Sequence, residues 1–544
     1  MIHRDDIDAI DDATSGLAHW PADTSISNVD HTAATLLADV ADRHPERLAV
    51  VGADHHGNPR RLTYRELWDR ARAVARTLLA STDRGEHVAV LAHNVVEWPI
   101  IEYAVALSGR VLVALNPYAG EAELRYTLDH SDARILIYAP WVRDRNMAAV
   151  VAEIACGIVR LDSRDMSSVW KDSPDGAGDR TWPTLNTAEP AMLQYTSGTT
   201  GRQKGVLLSH RSVINAARNL MKALEVGGGS TSYSPFPQFH TAGCVTSNLG
   251  ALAVEGTLVM ADRWDPVNAL DTIEREKVSL ALLVPTMLDD LVKQVASRES
   301  KTHLPTILVG GAPVPESLID KGRRAFDGEV LNVYGQTELS APLTSTRPRC
   351  TDEHTAGTVG QPLPQVEVRL ADPQSGRTVR IGEIGEICAR GYQQMLGYYR
   401  DPDATAATVD NQGWLRTGDL ATMDRRGNVS LVGRLKEMII RGGENIAPAE
   451  VVECLLSNEL VSNAAVFGLP DPRLGEIVAA ALVIAPGRPQ EDHLDEIDGY
   501  CRKLLAHYKV PQRWFVLESL PLTAAGKVRT LAVRQAVIDQ EQIG

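Results

Sequence analysis

The chain has 544 residues, 44% apolar and 23% charged, which is the composition of a globular protein with several domains. Its net charge of −15, without a run of basic residues, excludes a typical nucleic-acid binder, because a polyanion requires a clustered basic surface. An acidic amino terminus, no stretch of ~20 apolar residues and cysteines without a C-x-x-C pair predict a cytoplasmic protein with no membrane span.

The chain then alternates between helix and strand patterns. Residues 1–30 are expected to be a poorly structured lead-in. Apolar periodicity predicts helices at 32–44, 63–80 (with Thr63 as N-cap), 98–108 and 121–130, and strands at 48–51, 87–92, 111–115 and 135–138. Such alternation favours βαβ units and a mostly parallel sheet.

Residues 195–205, which we name the phosphate cradle, combine three glycines, four small hydroxyl side chains and two cations. Glycines allow close backbone approach, so that successive N–H groups and hydroxyls can surround a phosphate. The stretch does not fit a Walker A loop in any register. An ordinary surface turn between two strands is the alternative. The cradle follows an apolar segment (191–195) and precedes a predicted helix at 211–224, and its candidate phosphate ligands are Thr196, Ser197, Gly198, Thr199, Thr200, Gly201 and Lys204.

A second α/β unit has predicted strands at 257–260, 280–284, 307–309 and 330–333. Loops at 235–240, 284–286, 310–313 and 334–338 lie at strand ends. Ligands bind at the carboxyl ends of strands in open α/β sheets, so we expect these four loops to converge.

After residue 358, period-2 alternation at 366–370 and 386–389 predicts a small β-rich subdomain ending near 432. The remaining segment predicts a compact α+β domain that contains the loop 441–445 and a glycine-containing loop with Lys527. The predicted organisation is a lead-in (1–30), an N-terminal domain (31–432), a connection (433–437) and a C-terminal domain (438–544).

These motifs, in this order, resemble the acyl-activating, adenylate-forming superfamily, which includes acyl- and aryl-CoA synthetases, peptide-synthetase adenylation domains and luciferases. The resemblance covers nearly the whole chain from about residue 30. It rests on the cradle, 334–338, 417–419, 433–436, 442–445 and 526–527. It implies an α/β fold, with a large N-terminal domain of stacked α/β subdomains plus a small β-rich subdomain, and a small, mobile α+β C-terminal domain.

The resemblance also implies the chemistry. A carboxylate attacks the α-phosphate of ATP in the presence of Mg²⁺, pyrophosphate leaves, and the acyl group passes to the thiol of coenzyme A. Lys527 is expected to bridge the carboxylate and the α-phosphate. Glu338 is the implied magnesium ligand, with Thr196 as a second candidate, and Thr337 contacts the α-phosphate. The implied nucleotide contacts are Asp419 and Arg434 at the ribose, Tyr334, Gly335 and Gln336 at the base side, and Gly311, Ala312 and Pro313 as the adenine wall.

For the second half-reaction, the resemblance implies that the C-terminal domain rotates about Lys436. Gly442 and Gly443 then shape a pantetheine tunnel, and Arg473 is a candidate for the CoA phosphates. The 236–243 segment has no acidic residue for a substrate amine, which disfavours an amino acid as substrate. The segment instead resembles that of CoA synthetases for aryl, medium-chain or cyclic acids, which implies an aryl, alicyclic, terpenoid or medium-chain acid as the substrate. His240 is expected to border its carboxylate, and the candidate pocket walls are Phe239, Cys244, Val284, Leu308 and Leu339.

Each of these residues also has a purely structural interpretation. This interpretation is a solvated cation for Lys527, Lys436 and Arg473, and a helix or turn cap for Glu338 and Asp419. For His240 and the apolar residues it is a position in the core. Gln203, Glu437 and Ala524-Ala525 depart from the usual motifs, and we expect Gln203, in place of proline, to loosen the cradle. Two alternative functions remain: loading of a carrier protein, and a non-catalytic nucleotide-binding homologue. Both a monomer and a homodimer are compatible with the sequence.

Overall fold

The computed structural model describes residues 16–155, 162–165, 182–196, 203–298, 302–349, 357–442, 444–485, 493–522 and 528–543. Its strands are β1 (His19–Trp20), β2 (Leu48–Ala53), β3 (Pro59–Thr63), β4 (His87–Leu91), β5 (Val111–Leu115), β6 (Ala133–Tyr138), β7 (Trp141–Val142), β8 (Arg145–Asn146), β9 (Asp162–Asp165), β10 (Pro190–Thr196), β11 (Lys204–Ser209), β12 (Thr231–Ser234), β13 (Thr257–Met260), β14 (Leu280–Leu283), β15 (Thr306–Gly310), β16 (Glu329–Gln336), β17 (Ala341–Ser345), β18 (Gln361–Pro362), β19 (Val366–Ala371), β20 (Gly385–Gly391), β21 (Gly397–Tyr398), β22 (Leu415–Met423), β23 (Val429–Arg434), β24 (Ile439–Arg441), β25 (Glu444–Ile446), β26 (Val461–Asp471), β27 (Gly475–Ile484) and β28 (Arg513–Val516).

Its α-helices are α1 (Ala33–Arg43), α2 (Tyr64–Ser81), α3 (Glu97–Ser108), α4 (Glu121–Ser131), α5 (Met147–Ala155), α6 (His210–Ala223), α7 (Gly250–Ala253), α8 (Pro266–Arg275), α9 (Pro285–Ala296), α10 (Glu316–Phe326), α11 (Pro402–Thr408), α12 (Pro448–Leu456), α13 (Leu494–Leu504) and α14 (Thr530–Ile543). A π-helix spans Ala242–Leu249, and a 3₁₀ turn spans Thr337–Leu339.

Local side chains fix where several helices begin. The Thr63 hydroxyl accepts a hydrogen bond from the Glu66 N–H, and the Glu66 carboxylate accepts one from the Thr63 N–H, which closes a capping box at the start of α2. Thr32 and Ser209 form similar boxes at α1 and α6. The predicted Thr63 cap is therefore confirmed.

Two sheets form the body of the N-terminal region. The seven-stranded sheet has the order β21-β11-β10-β5-β4-β6-β9, and its strands from β10 to β9 are parallel. The nine-stranded sheet has the order β18-β17-β16-β15-β14-β12-β13-β2-β3, and its strands from β16 to β2 are parallel. The predicted mostly parallel architecture is confirmed, with antiparallel strands added at the edges.

Helix α3 is the most deeply buried of the long helices. All of its residues are buried, and it packs against α1, α2 and the π-helix. A helix without a polar face can be stable only inside the core, which explains why its sequence lacks an amphipathic pattern.

An antiparallel sheet with the order β1-β19-β20-β22-β23 forms the expected β-rich region. Its edge strand β1 comes from the lead-in, where His19 pairs with Arg369 and Ala18 is fully buried. The expectation of a poorly structured lead-in is wrong for this described part. Two residues added to a sheet edge carry too little periodicity to predict a strand. At the other end, β23 extends to Arg434, two residues into the expected connection.

The C-terminal region contains the predicted α+β pattern. Its sheet has the order β25-β24-β27-β26, and β28 pairs with β27 in parallel. Alternate residues of β26 belong to two different hydrophobic clusters: Ala464 and Val466 pack in one, and Ala465 and Phe467 in the other with Val533 of α14. The sheet is therefore covered on both faces, as the period of a strand requires.

Within the described ranges, no helix is both long and apolar enough to cross a membrane. The four described cysteines, Cys244, Cys388, Cys454 and Cys501, are buried free thiols, as the sequence predicted.

Candidate active site

The four strand-end loops meet at one edge of the nine-stranded sheet. Strands β12, β14, β15 and β16 are adjacent and parallel, so the loops that begin at residues 235, 284, 311 and the end of β16 lie side by side. The predicted convergence is confirmed. Its physical basis is that parallel neighbours present the same end to the same edge.

The 334–338 motif differs from the predicted loop because β16 continues to Gln336 and then pairs with β17. Gly335 lies in this antiparallel pair, where a Cβ atom would stand 1.5 Å from the Ala341 carbonyl oxygen. Only glycine fits there. On the neighbouring strand end, Gly311 has φ +85°, and the expected adenine-wall residues Ala312 and Pro313 follow it.

Asp419 connects the strand ends to the β-rich sheet. Its carboxylate accepts a hydrogen bond from the Tyr334 hydroxyl at 2.5 Å and from Arg434 Nε at 3.0 Å. Asp419 and Arg434 are direct cross-strand partners on β22 and β23, which explains their contact. Burial and the Asp419 carboxylate raise the pKa of Tyr334, so its hydroxyl remains a donor. Three of the predicted nucleotide residues therefore form one hydrogen-bonded group.

Glu338 lies in the 3₁₀ turn that follows β16. Its Oε1 atom accepts a hydrogen bond from the Tyr398 hydroxyl at 2.9 Å, and its backbone carbonyl accepts one from the Met395 N–H at 2.9 Å. Burial, followed by the Glu338 carboxylate, raises the pKa of Tyr398. Thr337 starts the turn and Leu339, which ends it, is fully buried. The turn is thus fixed to the core, while Tyr398, sixty positions further along the chain, donates a hydrogen bond to the Glu338 carboxylate.

The cradle joins two antiparallel strands, with Thr196 of β10 opposite Lys204 of β11. An ordinary surface turn would make the same connection, so topology alone does not separate the two interpretations. Ser197, Gly198, Thr199, Thr200 and Gly201 lie outside the described residues. The ammonium group of Lys204 lies 4.6 Å from the centroid of the Tyr398 ring. The end of the cradle and Glu338 therefore contact the same tyrosine.

Gln203, expected to loosen the cradle, instead has two tethers to α4. Its side-chain amide donates to the Glu123 carboxylate, and its backbone carbonyl accepts from the Tyr126 hydroxyl at 3.0 Å. The expected loosening is therefore wrong at Gln203 itself, where these two contacts restrain the chain.

The candidate pocket walls are all buried, and most of them belong to the main hydrophobic cluster: Phe239, Cys244, Leu308 and Leu339. Val284 is buried at the end of β14. Cys244 lies in the first turn of the π-helix, and its Sγ accepts a hydrogen bond from Gln194 Nε2 at 3.2 Å. The His240 ring packs on Phe239 with centroids 4.6 Å apart. These contacts are compatible with both a pocket wall and a core.

Glu102 is a buried carboxyl behind the π-helix. Its Oε2 atom accepts a hydrogen bond from Asn248 Nδ2 at 2.7 Å, and the Tyr103 hydroxyl donates to Asn248 Oδ1 at 3.1 Å. Burial raises the pKa of Glu102 to about 8. At neutral pH it is therefore mostly uncharged and cannot act as a fixed counter-charge for an amine.

In the C-terminal region, Gly442 and the loop that carries Arg473 are in contact, since the Gly442 N–H donates to the Leu474 carbonyl at 2.7 Å. Arg473 and Lys436 are exposed. Gly443 and Lys527 lie outside the described residues. The chain on either side of 523–527 is closed by pairing of Leu522 with Val528.

Residues 37–399 match the family of AMP-binding enzymes, and residues 450–527 match the C-terminal domain of AMP-binding enzymes. The chain belongs to this AMP-binding enzyme family. It is 33% identical over 542 residues to the Bacillus subtilis protein YngI, which is named for acyl-CoA synthetase activity, with 94% of this chain and 98% of YngI covered. It is 35% identical over 481 residues to a feruloyl-CoA synthase of an Amycolatopsis species, with 87% and 94% covered. Among solved structures it is similar to O-succinylbenzoate CoA synthetase (MenE) of Bacillus subtilis in complex with ATP and magnesium, with a TM-score of 0.80, 27% identity and coverage of 93% and 100%.

These matches confirm the expected fold, with a large N-terminal and a small C-terminal domain. They also confirm the expected reaction class. This chain is an AMP-forming acid–thiol ligase. It makes an acyl-adenylate from a carboxylic acid and ATP and transfers the acyl group to CoA, with Mg²⁺ as cofactor.

The residues of the AMP-binding enzyme fit a magnesium ion that arrives with ATP. The described part of the chain contains no group of three or more His, Cys, Asp or Glu side chains that could hold a metal alone. Mg²⁺ commonly binds through one or two carboxylates plus substrate phosphates. Glu338 is suited to this arrangement. The hydrogen bond from the Tyr398 hydroxyl orients the Glu338 carboxylate and uses only its Oε1 atom.

Sequence reasoning missed Tyr398 and Gln194, which contact predicted site residues of the AMP-binding enzyme. Gln194 directly precedes the cradle and lies in the segment 191–195, whose overall pattern is apolar. Tyr398 lies almost two hundred residues after Lys204 and reaches it only because β21 pairs with β11, with Tyr398 opposite Val206. No local pattern encodes such a pairing.

Proposed function

We propose that the enzyme activates an apolar carboxylic acid, of the aryl, alicyclic, terpenoid or medium-chain class, and transfers it to CoA. One observation carries the proposal: the short segment 334–338 contacts Asp419 at its start and Tyr398 at its end. The carboxylates that we assign to the ribose (Asp419) and to the metal (Glu338) therefore lie at opposite ends of this segment. This arrangement suits a nucleotide whose sugar and phosphates occupy one edge of the sheet.

In the adenylation step, Asp419 accepts hydrogen bonds from the ribose hydroxyls and Arg434 stabilises that carboxylate. Glu338 would provide an anionic ligand for Mg²⁺, with Thr196 as a second candidate ligand, and Thr337 would contact the α-phosphate. Lys204 and the cradle hold the β- and γ-phosphates. Lys527 balances the negative charge that develops between the attacking carboxylate and the α-phosphate.

The acid is assigned as apolar from the buried residues around the π-helix. The pocket candidates are aliphatic, aromatic or thiol side chains, and the Glu102 carboxyl behind them is mostly protonated at neutral pH. An ammonium group would have no charged partner among these residues, and burying it would be costly. We assign His240, whose ring packs on Phe239, to the border of the reacting carboxylate.

For thioester formation, we assign the hairpin at Gly442 and the neighbouring loop of Arg473 to CoA. The Gly442–Leu474 hydrogen bond holds the two loops together, so a rotation of the C-terminal domain about Lys436 would deliver both at once. A hinge at 433–437 is compatible with the end of β23 at Arg434, because the residues that follow are outside the sheet.

The decisive experiment uses an acid labelled with ¹⁸O in its carboxylate. Attack on the α-phosphate places one ¹⁸O atom in AMP and none in pyrophosphate. Label in orthophosphate together with ADP would refute the adenylate route. A screen of pyrophosphate release with aryl, alicyclic, terpenoid and C6–C12 linear acids identifies the substrate, and a preference for amino acids would refute the apolar assignment.

The acyl acceptor is tested separately. A radiolabelled acid is offered with free CoA and with a phosphopantetheinylated carrier protein together. Label on CoA supports the proposal, whereas label only on the carrier would assign the enzyme to carrier loading.

A further inference from the structure

The segment 395–398 joins two parts of the site that are distant in the chain. The Leu396 N–H donates to the Leu207 carbonyl at 2.8 Å, and the Tyr399 N–H donates to the Gly205 carbonyl at 2.7 Å, which attaches the segment to β11. The Met395 N–H donates to the Glu338 carbonyl at 2.9 Å, which attaches it to the 3₁₀ turn. Backbone hydrogen bonds thus place Tyr398 between the end of the cradle and Glu338.

The hydroxyl and the ring of Tyr398 make different contacts. The hydroxyl donates to Glu338 Oε1 at 2.9 Å, whereas the ring lies 4.6 Å from the Lys204 ammonium nitrogen. A hydrogen bond to a carboxylate is directional and fixes a rotamer, and an aromatic face attracts a cation without fixing its direction. One residue can therefore orient the Glu338 carboxylate through its hydroxyl and attract the Lys204 ammonium through its ring.

The position of Tyr398 is independent of these two contacts. Its N–H donates to the Thr405 hydroxyl at 2.8 Å, and Thr405 belongs to α11, whose N-cap is Asp401. Gly397 has φ +147°, and a Cβ atom there would lie 3.2 Å from the Thr405 side chain. The backbone is thus fixed from the side opposite to β11, and loss of the hydroxyl alone should leave the fold unchanged.

We propose that Tyr398 is a positioning residue for Mg²⁺·ATP, in which the hydroxyl sets the Glu338 carboxylate for the metal and the ring holds the Lys204 ammonium at the phosphates. This inference rests on the proposed nucleotide site. It adds a residue that links the two phosphate-handling groups, and it assigns separate tasks to the hydroxyl and to the ring.

Two substitutions separate these tasks. Tyr398→Phe removes the hydroxyl and keeps the ring, and Tyr398→Leu removes both. Tyr399→Phe is the matched control, because it makes the same chemical change at the next residue, whose ring packs on His87 and Arg400 instead. Thermal unfolding checks that each full-length variant is folded. ATP affinity is measured by calorimetry without acid, once with saturating Mg²⁺ and once with EDTA.

The expected readout is the ratio of the two affinities. Tyr398→Phe should reduce the strengthening of ATP binding by Mg²⁺ about tenfold, as expected for loss of a hydrogen bond to a charged group, with affinity in EDTA unchanged. Tyr398→Leu should show the same loss and, in addition, bind ATP about threefold more weakly in EDTA, because the cation–π contact is gone. Tyr399→Phe should match the unsubstituted enzyme in both conditions.

An unchanged Mg²⁺ effect in Tyr398→Phe would overturn the inference, and so would an equal weakening in both conditions, which would indicate a merely structural role. If the unsubstituted enzyme bound ATP in neither condition, the proposed nucleotide site would fail together with the inference. Normal Mg²⁺·ATP binding by Tyr398→Phe would reject the inference alone.

Discussion

Replacement of Asp419 by asparagine tests the ribose assignment with little change of shape. The carboxylate is only 6% exposed and accepts from both Tyr334 and Arg434. Asparagine keeps one acceptor oxygen but loses the charge and the second acceptor, so at least one charge-assisted hydrogen bond to the nucleotide is lost. Such a bond contributes about 1.5–3 kcal/mol, which corresponds to a weakening of ATP binding by roughly 10- to 150-fold.

The effect of Asp419→Asn on stability should be much smaller. The Arg434 side chain is 59% exposed, and an ion pair with an exposed partner contributes about 0–1 kcal/mol to the free energy of unfolding. Asp424→Asn on the same hairpin is the control, since Asp424 accepts hydrogen bonds from the Arg426 and Asn428 N–H groups in the β22–β23 turn. That change should lower stability without altering ATP affinity.

Calorimetric titration with ATP and urea unfolding provide the two measurements. ATP affinity that is unchanged in Asp419→Asn would refute the ribose assignment. A loss of stability that accounts for the loss of affinity, with a similar result for Asp424→Asn, would show that Asp419 acts only as a structural residue.

Three further predictions concern other parts of the molecule. Lys527→Ala should abolish acid-dependent pyrophosphate exchange while transfer from a supplied acyl-adenylate to CoA remains largely intact, and equal loss of both would contradict its assigned role. Gln203→Ala should raise the KM for ATP severalfold because the hydrogen bond to Glu123 is lost, whereas the KM of Gln203→Pro should be close to that of the unsubstituted enzyme. A Pro variant as impaired as the Ala variant would show that restraint of the cradle is not the cause. Glu102→Gln should raise the free energy of unfolding by about 1–3 kcal/mol at pH 7.5, with the gain vanishing towards pH 4.5, as measured by urea unfolding across pH.

The sign of the Glu102 effect follows from its raised pKa of about 8. The folded state holds a proton that the unfolded chain releases near pH 4.5, so this carboxyl lowers stability progressively as pH rises from 4.5 to 8. Glutamine cannot ionise and can still accept from Asn248. A variant less stable than the unsubstituted enzyme throughout that range would contradict this reasoning.

The sequence by itself determined the elements with strong local signals. The helix α2 with its Thr63 cap and the strands β13, β14, β15 and β16 were predictable, because capping and apolar periodicity act between residues a few positions apart. The alternation of these strands with helices also predicted their parallel arrangement. Strand β12, which precedes one of the four loops, was not predicted. The order of the motifs likewise indicated the family, since it depends on the chain alone.

Only the tertiary structure decided which distant residues meet. Pairing of β21 with β11 brings Tyr398 to Lys204, and pairing of β1 with β19 makes part of the lead-in a strand. The hydrogen bond between Gln194 of β10 and Cys244 of the π-helix likewise joins residues fifty positions apart. Such contacts join segments whose own patterns are short or neutral, and their formation depends on which sheet edge is left unpaired after the larger elements have packed. Local sequence does not encode that edge, and for this reason the contacts of Tyr398 with both Lys204 and Glu338 emerged only from the fold.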